Sequence, residues 1–276
     1  MSEAPLDALR NTAIAREPDR YFAATLAPAA IRFDLITLAA FAAELTNIPV
    51  QVREPLAGEI RLQWWRDALA ANGAEAAAGH PVAVPLRAAI ARHALPIAIL
   101  DAVIDSHADT LHGERPADEA ALASLMTTRE GGLFQLAARI AGGEQHGDIW
   151  QIARTAGLAY GISRALVHLP AEGGRLPIPR SLLSDEALAQ AGDTASSLAS
   201  AIAALGQRAR TALSDIAPQL AKMSRAKRLP FLPLAMVRPN LRALETWVQR
   251  GGAASIEPLP ISRLLRISWA HARGRF

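Results

Sequence analysis

Three carboxylates recur every fourth residue near the middle of the chain, Asp101, Asp105 and Asp109, with His107 and His112 close by. If the segment is one helix, side chains four apart stack on one face, and such a row of oxygen donors suits a hard divalent cation. The same spacing makes an ordinary solvated acidic face, and no second carboxylate-bearing helix can be identified to oppose it, so the solvated face is the simpler reading. Arg164 and His168, also four apart, form a positively leaning pair able to hold an anion such as a phosphate without metal; equally, the two fill a pocket and pair with Glu172 or Glu44. Around Trp64 and Trp65 lie Glu54, Glu59, Arg61, Arg66 and Asp67, a set that intrahelical ion pairs beside two aromatic core anchors explain. Other chemistry is excluded. There is no cysteine, hence no disulfide, thiolate nucleophile or iron–sulfur cluster, and a reducing compartment is compatible. No Ser-His-Asp motif, glycine-rich nucleotide loop or His-x-x-x-His zinc pair is present.

The elements that must position these residues are helical. With 276 residues and 51% hydrophobic content the chain has material for one large core, and its Ala, Leu and Ile recur at spacings of three and four. Breaks are expected at Pro28, Gly58, Asn72-Gly73, Gly79 to Pro81, Gly113 to Pro116, Gly142-Gly143, Pro170 to Pro179, Gly192, Pro230 to Pro239 and Gly251-Gly252. They leave eight or nine helices, suited to an all-α bundle folded around a central space. Residues 171–179, with two adjacent glycines and two prolines, form a loop.

The most apolar stretch, Leu35 to Val50, is interrupted by Glu44, Thr46 and Asn47 and is too short to span a bilayer. The N-terminus carries acids early and has no apolar signal segment, so a cytoplasmic location is expected. The basic residues are 27 Arg and two Lys against 26 acids, a net charge of +3. With few aromatic residues and no Lys/Arg block, nucleic acid is not an expected partner. Basic and apolar residues do mix late in the chain, from Lys222 through Leu234 and from Arg263 through Phe276. Peripheral contact with the inner face of a membrane accounts for that mixture, as do ordinary solvated helices.

Read from Asp19, the strings DRYFAATLAP, IRFDLITLAAFAAEL and EPLAGEIRLQWWRDAL resemble the opening of squalene/phytoene synthase family members in order and spacing. Glu130 to Ile140, Gly157 to Ser163 and Gly174 to Pro177 resemble later family segments, and the likeness runs to Trp269–Arg273. It divides the chain into an N-terminal extension, residues 1–18, and a helical domain, residues 19–276. The resemblance implies the isoprenoid-synthase fold, a single-domain helical bundle around a central cavity. It also implies enzymes that condense prenyl diphosphates held through Mg²⁺ by aspartates on facing helices.

Those aspartates are missing. Where the family has Phe-x-Arg-x-x-Asp-Asp-x-x-Asp, this chain has Phe41 through Val50, which puts Thr46, Asn47 and Val50 at the acidic positions beside Glu44. Where it has Asn-x-x-Arg-Asp-x-x-x-Asp, this chain has Arg164 through Glu172, with Val167 at the arginine, His168 at the first aspartate and an acid only at Glu172. Arg61, Gln63, Tyr160 and Arg175 are expected to line the cavity.

The leading expectation is a non-catalytic binding or assembly factor without cofactor, since Phe41-x-x-Glu44-Leu45 and Arg61-x-Gln63-Trp64-Trp65 resemble a branch that includes a respiratory complex I assembly factor. Its partner would be a respiratory complex subunit or another protein client. One alternative is a prenyl-diphosphate transferase whose Mg²⁺ is recruited from Asp101, Asp105, Glu44 or Glu172. The other is a metal-free binder of an isoprenoid or lipid ligand.

Overall fold

The computed structural model describes residues 3–143, 147–168, 178–184, 195–250, 259–274 and 276, and every regular element among them is helical. In chain order these are α1 (Glu3–Arg16), α2 (Pro18–Thr25), α3 (Ala29–Gln51), α4 (Pro55–Leu69), α5 (Ala83–His93), α6 (Ile97–Asp105), α7 (Ala108–Leu111), α8 (Glu119–Ile140) and α9 (Asp148–Val167). There follow α10 (Ala195–Lys222), α11 (Arg225–Arg228), a 3₁₀ helix (Leu229–Met236), α12 (Val237–Gln249) and α13 (Pro260–Arg273). No helix among the described residues is long and apolar enough to cross a membrane.

Local chemistry explains the boundaries. Proline opens α2, α4 and α13, where its missing N–H is not needed, and the Asp118 carboxylate caps α8 by accepting from the Ala121 amide at 2.8 Å. Two expected breaks do not occur. Gly58 lies inside α4, where its lack of a side chain admits Leu111 of α7, and the chain turns instead at Val52 to Glu54, before Pro55. The segment Pro230 to Pro239 is a tight 3₁₀ helix running into α12, with Pro239 in the first turn of α12. More helices form than expected because single turns such as α7 and α11 leave no periodic signature.

Two apolar clusters share α8 as a wall. The first packs Leu9, Leu38, Phe41, Trp65, Leu86, Leu100 and Leu136 from the N-terminal helices. The second packs Phe134, Tyr160, Leu205, Phe231, Leu244 and Trp247 from α8 through α12. Burying each Leu or Phe of this kind stabilises by about 1.5–3 kcal/mol. The N-terminal segment is part of this fabric, for Leu9 and Ala13 of α1 are fully buried against the first cluster.

Candidate functional site

Among the described residues α8 and α9 cross in close contact, and glycine makes it possible. A Cβ at Gly157 would overlap the backbone N and Cα of Gly131, and one at Gly161 would lie 3.0 Å from Cγ of Glu130. With nothing there, the helices close until Glu130 of α8 reaches Arg164 of α9, one turn beyond Gly161.

At that point four charged side chains form a ring. Arg20 of α2 donates to Glu17 at 2.6 Å and to Glu130 at 2.7 Å. Arg164 pairs with Glu17 at 2.7 Å and with Glu130 at 3.4 Å, and donates to the Arg16 carbonyl at 2.8 Å. The Arg20 guanidinium also lies over the rings of Tyr160 and Phe134, 4.9 and 5.3 Å from their centroids. Next to the ring, Asp19 accepts from Tyr160 Oη at 3.1 Å and from Arg263 of α13 at 2.7 Å. All of this is inside the protein, with Glu17 only 1% and Glu130 only 4% exposed.

Burial of this depth is costly for a lone charge and tolerable only when charges cancel. Here two carboxylates meet two guanidiniums, and Asp19 meets Arg263. Burial pushes the Glu130 carboxyl up, but Arg20 and Arg164 outweigh it and hold Glu130 below the usual carboxylate range. Glu17, buried to the same degree, stays raised despite Arg164 and Arg20. Both guanidiniums are held above their ordinary value, the carboxylates outweighing the burial that would weaken them. The neighbouring histidines go the other way. His168, at the end of α9, is lowered to about 3 by burial and by Arg164, Arg263 and Arg16, and buried His107 is lowered well below its ordinary value by burial, Arg129 and Arg164. Both are neutral near pH 7.

The sequence-predicted residues are distributed unevenly around this ring. Arg164 belongs to it and Tyr160 abuts it, while Val167 is buried in the second apolar cluster. Glu172 and Arg175 lie outside the described residues. On α3, Thr46 donates its hydroxyl to the Ala42 carbonyl of its own helix at 2.9 Å, Asn47 is half-buried and Val50 is exposed. Glu44 is half-buried, its carboxyl raised by burial and partly offset by Arg61. Arg61 and Gln63 were expected to face the cavity and instead stand on the exposed side of α4, bonded to Gln51 at 2.6 Å and Asp67 at 2.8 Å. The reason is spacing: Leu62, Trp65 and Leu69 form the buried face of α4, which turns 61 and 63 outward.

The aspartate row is broken. Asp101 and Asp105 belong to α6, which ends at Asp105, and Asp109 sits on the separate turn α7. Asp105 is engaged by Arg66, and Asp101 is raised by its partial burial and by Asp105. Among the described residues no three His, Cys, Asp or Glu side chains converge on a point where a metal ion would sit.

The described residues at the two motif positions offer Mg²⁺ only the neutral oxygens of Thr46 and Asn47 beside Glu44, and Glu172, the acid of the second motif, lies outside the described residues. Thr46 is committed to its own backbone, Val50 and Val167 have no donor, and Arg164 adds positive charge where a cation needs negative. The deeply buried acids nearby, Glu17 and Glu130, are already bonded to arginine. Glu17, Asp19, Arg20 and Glu130 carry the site's charge, yet sequence reading assigned them no role. Their signal was present as charges at the Pro18 helix start and beside the Gly131-Gly132 pair. A small cavity of about 30 Å³ adjoins the ring, lined by Arg20, Ala24, Leu38, Leu133, Phe134 and Pro233 among others. Sites for drug-sized ligands are roughly ten times larger or more, about 300–1,000 Å³.

Comparison with known proteins bears on this arrangement. Residues 15–250 match the squalene/phytoene synthase family. Among solved structures, squalene synthase HpnC from Alicyclobacillus acidocaldarius superposes with a TM-score of 0.70 at 15% sequence identity, covering 89% of this chain and 95% of that one. At that identity the likeness speaks for the fold. No curated protein matches the chain.

Proposed function

We propose that this chain, which belongs to the squalene/phytoene synthase family, is a non-catalytic member that works as a binding or assembly factor, with a respiratory complex of the complex I type as its client at a membrane surface. The observation that carries the reading is the closed ring of Glu17, Arg20, Glu130 and Arg164. Ionising a prenyl diphosphate requires a cation to neutralise the departing charge, and the cation requires uncommitted carboxylates. In this interior the ring's carboxylates are consumed by arginine, and Thr46, Asn47, Val50 and Val167 supply no charge in their place.

The client assignment rests on the Phe41-x-x-Glu44-Leu45 and Arg61-x-Gln63-Trp64-Trp65 likeness, and the outward placement of Arg61 and Gln63 leaves both available to a protein surface.

The test is direct. Purified protein incubated with farnesyl or geranylgeranyl diphosphate and Mg²⁺ is expected to yield no condensed hydrocarbon. A Mg²⁺-dependent product refutes the non-catalytic reading. Deleting the gene in the source cell should lower the amount of assembled complex I, and an unchanged amount refutes the client assignment.

A further inference from the structure

Four large apolar side chains at the last helix stand in solvent. Leu259 at its cap is 70% exposed, Ile261 60%, Leu265 63% and Trp269 52%. Ile261, Leu265 and Trp269 are spaced by four, so at about 100° per residue they form one stripe along α13. The opposite face, Arg263, Ile267 and Ala270, is buried where α13 packs on α2 and the 3₁₀ helix. Single exposed apolar residues are normal, whereas a continuous stripe marks a docking surface.

The charges around the stripe indicate its occupant. Arg266 and Arg273 of α13 are exposed, and the Arg273 guanidinium lies 5.9 Å from the Trp269 ring centroid. The helix α11 abuts the end of α13, with Arg225 Nε donating to His271 Nε2 at 2.9 Å and the Arg228 guanidinium pressed against Gly274. Exposed Lys222, Arg225 and Lys227 extend the rim. Neither α11 nor α13 contains an acidic residue.

We propose that this face docks on an anionic lipid bilayer. The helix lies in the plane of the interface with Ile261 and Leu265 among the acyl chains, Trp269 at headgroup level and the basic rim on the lipid phosphates. A second copy of the chain is the poorer occupant, because a two-fold contact through the stripe sets this cationic rim against itself. The inference deepens the membrane-surface part of the proposed function and is independent of whether the chain is catalytic.

The experiment is co-sedimentation of the full chain with vesicles of phosphatidylcholine alone and of phosphatidylcholine mixed with phosphatidylglycerol. The chain should pellet with the mixed vesicles, remain in solution with the neutral ones, and be released by salt. Changing Ile261, Leu265 and Trp269 together to serine should abolish pelleting while the helical circular dichroism is kept and the thermal midpoint falls by only a few degrees, since all three are more than half exposed. Replacing Arg266 and Arg273 by glutamine should weaken partitioning roughly 30-fold. The control Leu56→Ser with Ile60→Ser, exposed apolar residues of α4, should bind like the parent. The proposal is overturned if the parent stays in solution with anionic vesicles, if the control loses binding equally, or if light scattering shows a dimer that the serine variant dissolves. The condensation assay contains no vesicles, so its outcome and this one are separable.

Discussion

Replacing Arg164 by methionine asks what the buried ring contributes. The side chain is 14% exposed, spans Glu17 and Glu130, and satisfies the Arg16 carbonyl. Methionine fills much of the volume but leaves two buried carboxylates bonded by Arg20 alone, with Arg129 acting on Glu130 only through space. Removing one partner of a buried ion pair costs about 3–5 kcal/mol, because an uncompensated charge stays behind. An unfolding entropy of about 2 cal/mol/K per residue over this length is roughly 0.6 kcal/mol/K, so the midpoint should fall by roughly 5–9 °C.

Urea and thermal unfolding followed by circular dichroism measure the loss, and pH supplies the sign test. In the parent, Glu130 has a lowered folded pKa, so its contribution is present above the ordinary carboxylate range and is lost as pH falls through the folded value. Glu17, raised by burial, works in the opposite sense, its contribution being lost as pH rises through its folded value, so the informative quantity is the gap between parent and variant. In the variant the surplus carboxylate has lost a guanidinium and burial pushes it up, so it takes a proton in the folded state. The gap should therefore be widest at pH 8 and narrow toward pH 5. Adding Glu17→Gln restores charge balance and should recover over half of the loss. A cost under about 1 kcal/mol, a gap independent of pH, or no recovery in the double variant refutes the argument.

Other parts of the structure make further predictions. Gly157→Ala should destabilise by about 1–3 kcal/mol or more by forcing α9 off Gly131, even though alanine is intrinsically the better helix former by about 1 kcal/mol; a stabilised variant in urea unfolding contradicts the crossing geometry. His168 has its folded pKa lowered to about 3, so its stabilisation is complete above the unfolded value and lost as pH falls below it, by up to about 1.4 kcal/mol per pH unit. His168→Gln should flatten the stability curve between pH 6 and pH 4, and an unchanged slope refutes that. Asn240 is buried with neither amide atom hydrogen-bonded, so Asn240→Leu should stabilise by about 1 kcal/mol, and a lower urea midpoint would show that the amide has a partner. Millimolar Mg²⁺ with inorganic pyrophosphate should leave the thermal midpoint where it was, whereas a rise of several degrees would reveal a cation site.

The fold was legible because it rests on short-range information. Three-and-four spacing of Ala and Leu, and proline or glycine at boundaries, act within a turn or two of themselves, and the family-like strings added the order of helices. Gly58 shows the limit: a glycine reads as a break unless it is known that Leu111, far along the chain, needs its space. The aspartate row failed for a related reason, since Asp101, Asp105 and Asp109 have helical spacing and nothing in the spacing announces that α6 stops at Asp105. The ring was hidden because it joins four places, Glu17, Arg20, Glu130 and Arg164. Glu17, Arg20 and Glu130 each read alone as a surface charge and Arg164 as half of a pair with His168, and only the approach of α8 to α9 through Gly131 and Gly157 makes the four one group.

An enclosed acidic side chain in a helical bundle must be neutralised, and the cation that does so determines what the interior can be used for. A metal ion held by several carboxylates keeps unspent charge and open coordination positions, which is what a diphosphate needs. A guanidinium covalently tied to a helix spends its charge and its donors on the same carboxylates and leaves nothing to exchange. With Arg20 and Arg164 on different helices, each bonded to both Glu17 and Glu130, the ring ties α2, α8 and α9 together. The distances around the ring, 2.6 to 3.4 Å, are those of such a tie, so any divalent cation in this interior would have to draw its ligands from other side chains.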